Sequence, residues 1–163
     1  MENIIEDWAA NARARQKETT KFLKTAGLSS KPDALAILKD LHTEAFQNLD
    51  CLDCANCCKT TPAIVTQQDA GRISSYLGIS KKSFIRNYLL EDFNGEMTLN
   101  GVPCRFLNAD NKCAIYDVRP EACRRYPHTD ESDYFKRPVL NATNTTVCPA
   151  AYYIAEQLKS III

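Results

Sequence analysis

Histidine and tryptophan are scarce, with two residues and one. Glycine numbers five, and neither sign of charge prevails: 20 Lys plus Arg stand against 20 Asp plus Glu in 163 residues. Without a basic surplus, no nucleic-acid partner is expected. No apolar run approaches the roughly 20 residues that span a bilayer, so no membrane association is expected either. The opening Met1-Glu2-Asn3-Ile4-Ile5-Glu6-Asp7 is acidic and amphipathic, unlike a secretory signal or a transit peptide. With only His42 and His128, no Ser/His/Asp relay stands out, nor does a carboxylate pair placed for hydrolysis. His42 is expected in the core or at its rim, and His128 at the surface. Internal repeats, low-complexity tracts and a Gly-rich nucleotide loop are all missing.

What is present is an ordinary globular composition, 45% apolar and 25% charged, long enough to bury a core without disulfide staples. Against that background stand eight cysteines. Without a recognisable targeting signal, the chain is expected in a reducing cytoplasm. There, clustered cysteines are more often metal sites or reactive thiols than disulfides.

Hydrophobic spacing predicts a mainly α fold with a small β-hairpin element. A helix is expected from about Ile4 to Ala26, with Ile5, Trp8, Ala12, Phe22 and Ala26 on one face. Ser30-Lys31-Pro32-Asp33 reads as the start of a second helix, whose apolar face runs Leu35, Leu38, Leu41, His42, Ala45, Phe46, Leu49. Residues 1–49 are thus a helical pair packing on the core, offering a surface for a protein partner. Residues 50–163 form the cysteine-rich domain, the two making one compact unit. Within it, Ala63-Ile64-Val65 is a strand candidate. Thr66-Gln67-Gln68-Asp69 caps a helix ending at Gly78, and Ser80 caps another with Phe84, Ile85, Tyr88 and Leu89 inward. Met97–Leu99, Cys104–Leu107 and Cys113–Tyr116 are expected as short strands, with turns at Asn100-Gly101 and 108–111. Asp117 is expected to cap a short helix that Pro127 ends. Residues 129–146 read as irregular, and 150–158 as a closing helix.

The informative stretch is Cys51-Leu52-Asp53-Cys54-Ala55-Asn56-Cys57-Cys58. Two-residue gaps let successive thiolates turn inward on one ion or cluster, and inert core cysteines do not bunch at ligand spacing. Cys104, Cys113, Cys123 and Cys148 bring the total to eight, two tetrahedral sites' worth of ligands. Four thiolates around a divalent ion carry a charge of about −2. Lys59, Arg105, Lys112, Arg119, Arg124 and Arg125 lie near them in sequence and would offset it. Adjacent side chains diverge, so Cys57 is expected to serve one centre and Cys58 to go elsewhere. Cys51, Cys54 and Cys57 would then join Cys148, and Cys58 would join Cys104, Cys113 and Cys123, either around a second metal or as a reduced thiol group beside the first.

Three segments together resemble the YkgJ-type CxxCxxCC family: Cys51-x2-Cys54-x2-Cys57-Cys58, Val102-Pro103-Cys104-Arg105-Phe106-Leu107, and Cys113-Ala114-Ile115-Tyr116-Asp117-Val118-Arg119-Pro120-Glu121-Ala122-Cys123-Arg124-Arg125-Tyr126-Pro127. The resemblance spans about residues 50–150. It implies chelation of zinc or iron rather than a reaction, with the cysteines as metal ligands. The cofactor expected is therefore zinc or iron, a 4Fe-4S cluster being one form. An alternative class is an iron–sulfur redox or radical-type enzyme component. Cys148-Pro149 resembles the remote Cys-Pro that completes a ferredoxin cluster, although the ferredoxin spacing is not reproduced. A methylase-like role is included in that class, because a flagellin lysine methylase carries a similar cysteine pattern. A thiol–disulfide oxidoreductase acting through Cys54 and Cys57 is disfavoured, since no βαβ pattern surrounds them.

Overall fold

A computed structural model describes residues 7–28 and 33–162. The chain is mainly α with one small antiparallel hairpin. No described helix is long and apolar enough to cross a membrane. Two units result: Met1–Asp50 with Pro127–Ile163, and Cys51–Tyr126.

The first unit is helical. Helix Trp8–Leu28 buries Ala12, Leu23 and Ala26, and helix Asp33–Asn48 buries Ala34, Leu38, Leu41 and Ala45. These i, i+3, i+4, i+7 spacings put one stripe of each helix inward. The start signal at Ser30–Pro32, and Ile4 and Ile5, lie outside the described residues. Residues 127–163, grouped by the sequence pattern with the cysteine domain, pack here instead. Helix Pro149–Ile162 lies against both long helices, its Ala150, Tyr153, Ile154 and Leu158 sharing a core with Leu23 and Leu38. That core explains the grouping: the closing helix is apolar on most of its circumference and needs two partners to cover it. Residues 129–146, expected to be irregular, contain a 3₁₀ turn at Tyr134–Lys136 and helix Pro138–Asn144. Pro138 occupies the first turn, where a missing N–H costs nothing. Lys159 is only 6% exposed, and its ammonium donates to Glu18, Thr19 and Glu156.

The second unit carries the hairpin. Thr66 caps helix Gln67–Tyr76 in a reciprocal box with Asp69, and Ser80 caps helix Lys81–Tyr88 by accepting from the Ser83 N–H. Both caps match the sequence signals. Strand Leu89–Glu91 pairs antiparallel with Met97–Leu99, so Leu89, expected on the helix, is the first strand residue. The expected Ala63–Val65 strand is a single bridge, Ile64 to Thr98, flanked by Val65 N–H to Met97 O and Leu99 N–H to Ala63 O. Val65, Ile73, Phe84, Met97, Leu99, Phe106 and Ile115 form the core here. The expected strands 104–107 and 113–116 shrink to one bridge, Leu107 to Cys113, around a turn with Asn111 at φ +66°. Pro103 lacks an N–H, and each segment is too short to continue a ladder. Asp117 falls in a 3₁₀ turn, and the following helix, Glu121–Arg125, starts after Pro120.

Candidate metal centre

Seven of the eight cysteines belong to the second unit, and Cys148 to the first, where it packs at the edge of the helical core. All eight are thiols. The cluster folds as two short helical turns, Cys51–Cys54 and Asn56–Thr60, joined by Ala55. Ala55 is buried in the left-handed region at φ +48°, a conformation that reverses the chain between the turns. A non-glycine residue there costs roughly 1–2 kcal/mol, and such costs cluster at functional segments.

Two other stretches come to this cluster. The Cys104 N–H donates to Cys58 O at 2.7 Å, and the Asn111 side-chain amide donates to Asp53 O at 2.9 Å. Cys123 lies on the Glu121–Arg125 helix, its N–H bonded to Pro120 O. Cys58, Cys104, Cys113 and Cys123 are close enough for their charges to act on one another. Burial pushes the Cys104 thiol up, with the Cys58 charge adding to it. Burial does the same to Cys113, reinforced by Cys104 and Cys58. Cys123 is pushed up to about 12, first by burial and then by Cys58, Cys104 and Cys113 against the Arg119 guanidinium. Cys58 goes the other way, down to about 7, because the Cys57 thiol hydrogen-bonds its sulfur and Lys59 lies nearby.

The donor set suits a thiophilic ion. The backbone N–H groups of Phe106 and Leu107 near the Cys104 sulfur, and of Ile115 near that of Cys113, offset part of the upward push of burial. Four mutually repelling sulfurs are what a divalent cation would neutralise. Among the described residues, no three His, Cys, Asp or Glu side chains converge as an ion would require. The thiols are neighbours rather than a finished coordination shell. Of the cations singled out in the sequence, Lys59 and Arg119 act on these sulfurs. Arg105 instead donates to Asn87 O and lies over the Tyr88 ring, and Arg124 donates to Asp117 O.

Both histidines sit in the first unit. His42 Nδ1 contacts Thr129 Oγ1 at 2.9 Å and its ring packs on Phe46, while His128 is half-buried against Glu131.

The family model for CxxCxxCC, described as "Putative zinc- or iron-chelating domain", matches residues 50–149. The chain belongs to the CxxCxxCC family. An uncharacterised protein of Methanocaldococcus jannaschii is 34% identical over 82 residues, 48% of this chain and 44% of the relative. The match thus spans less than half the length of that relative. No solved structure matches the chain. CxxCxxCC membership supports metal binding in general, with zinc or iron as the metal. Sequence spacing alone missed an ion pair, buried Asp69 with Arg72, that ties down the loop between Cys113 and Cys123. The signal for it was the Thr66-x-x-Asp69 box followed three residues on by Arg72.

Proposed function

We propose that the chain chelates zinc or iron through thiolates of its second unit, with Cys58, Cys104, Cys113 and Cys123 as one ligand set. The observation that carries this reading is that their segments come together, the Cys104 N–H donating to Cys58 O at 2.7 Å and Leu107 bridging to Cys113. The mutual electrostatic influence of the four sulfurs supports it. Cys51, Cys54 and Cys57 are the further donors of the same unit. Seven thiols in one unit exceed the four that either a tetrahedral ion or an iron–sulfur cluster takes, which leaves donors for a second centre. When bound, the metal supplies charge neutralisation and cross-links three loops. The protein's own residues orient the thiolates, and Lys59 and Arg119 offset their charge.

Anaerobic purification followed by elemental analysis and a visible spectrum tests this. Stoichiometric zinc in a colourless sample, or iron with a broad band near ~400 nm from thiolate-to-iron charge transfer, is the expected result. A folded, metal-free protein that takes up neither metal would overturn it.

A further inference from the structure

Asp69 is 1% exposed, yet it carries a carboxylate in the core of the cysteine unit. Its Oδ2 accepts from the Thr66 N–H at 3.0 Å and the Thr66 hydroxyl at 2.7 Å. Its Oδ1 accepts from the Arg72 guanidinium at 2.6 Å and from the Glu121 N–H at 3.1 Å. A helix cap needs only the first of these bonds. The other oxygen is directed at a different segment, the start of the helix that carries Cys123.

Arg72 reaches the same segment. Its Nη2 donates to Arg119 O at 2.9 Å as well as to Asp69, and its Nε donates to Val118 O at 3.4 Å. Two backbone carbonyls and one backbone N–H between residues 118 and 121 are therefore held by this ion pair, whose carboxylate is buried and whose guanidinium is partly exposed. That segment joins Cys113 to Cys123, two of the four proposed ligands. Its own backbone bonds are local, Val118 N–H to Ile115 O and Cys123 N–H to Pro120 O, so Asp69 and Arg72 supply its links to helix Gln67–Tyr76. The planar fork of arginine suits two carbonyls and a carboxylate at once, which the single ammonium of lysine does not.

We infer that Asp69 and Arg72 are positioning residues for the metal centre, holding the 118–121 loop so that Cys123 stays beside Cys58, Cys104 and Cys113. The inference rests on the thiolate reading above. Neither residue binds the metal itself. They act through the backbone, as the outer partners of a ligand set do.

Cobalt(II) titration of the full chain separates the possibilities, because thiolate-to-cobalt charge transfer grows with the number of coordinating sulfurs. Wild-type chain, Arg72→Gln, Arg72→Lys and Asp69→Asn would be compared with Phe84→Leu, which loosens the same core from helix Lys81–Tyr88. Arg72→Gln and Asp69→Asn are expected to lose about a quarter or more of the charge-transfer intensity per cobalt and to bind at least tenfold more weakly. Arg72→Lys should recover little of either. Phe84→Leu should lower the melting temperature while keeping the wild-type spectrum. A wild-type spectrum in Arg72→Gln and Asp69→Asn, or an equal loss in Phe84→Leu, would overturn the positioning role alone. Absence of the thiolate band from the wild-type chain would overturn the thiolate reading and this inference with it.

Discussion

Glu131 and Cys123 show opposite outcomes of burial. Cys123 is surrounded by other sulfurs, with Arg119 as its opposing charge, so its thiol is pushed up. If those sulfurs share an ion, Cys123→Ser should cost at least one metal equivalent by elemental analysis. Unchanged metal content would remove Cys123 from the ligand set. Burial also works against the Glu131 charge, but hydrogen bonds from His128 and Arg137 outweigh it and hold the carboxyl down to about 2. A depressed carboxyl stabilises the fold above its unfolded value, about 4.5, and that stabilisation is lost as pH falls toward 2. The side chain is 9% exposed, so the effect is not screened away. Glu131→Gln should therefore cost roughly 2 kcal/mol at neutral pH. It should also flatten the acid side of the stability curve between those values, measured by urea unfolding at several pH values. An acid limb as steep as wild type would show that other carboxyls dominate it.

Among the elements, those specified locally were legible in the sequence, and those specified by distant partners were not. The Thr66 and Ser80 caps need nothing beyond three residues, and both helices start where those residues stand. Ser80→Ala should cost about 1 kcal/mol in chemical denaturation. Thr66→Ala should cost more than Ser80→Ala, since the Thr66 hydroxyl also donates to buried Asp69. Equal costs would mean that the donated bond contributes nothing. Strand Leu89–Glu91 was hidden because its apolar pattern continues that of the preceding helix, and only pairing with Met97–Leu99 makes it extended. Helix Pro138–Asn144 was hidden by its polar composition, since its inward residues include Asn141 and Asn144 rather than aliphatics. The Asn141 amide donates to Tyr134 O and the Asn144 amide to Pro127 O, so hydrogen bonds take the place of hydrophobic periodicity. At the candidate site, ligand spacing was visible in residues 51–58. The approach of the Cys104 segment to Cys58 was not, because it depends on a backbone bond between residues far apart in sequence, Cys104 N–H to Cys58 O.

At the scale of the molecule, the first unit draws on residues from both sides of the cysteine unit. The chain leaves the helical unit, builds the cysteine unit, and returns to complete the first core with helix Pro149–Ile162. The two units draw stability from different sources. In the first, Leu23, Leu38, Tyr134, Ile154 and Leu158 are essentially fully buried without any cysteine among them. Leu38→Ala should cost about 2–5 kcal/mol there. In the second, short helical turns and loops carry the thiols beside two strands of three residues, and thiolate–metal binding in small sites supplies about 10 kcal/mol of folding free energy. Metal removal should therefore act unevenly. Hydrogen exchange before and after chelation is expected to accelerate between residues 51 and 126, most of all around Cys58, Cys104 and Cys123. The amides of Trp8–Leu28, Asp33–Asn48 and Pro149–Ile162 should keep their protection. Leu38→Ala should give the reverse pattern, lowering protection in those helices while the metal-bound cysteine unit keeps its own. Uniform acceleration in both experiments would show that the chain unfolds as one cooperative body, with the metal contributing to all of it.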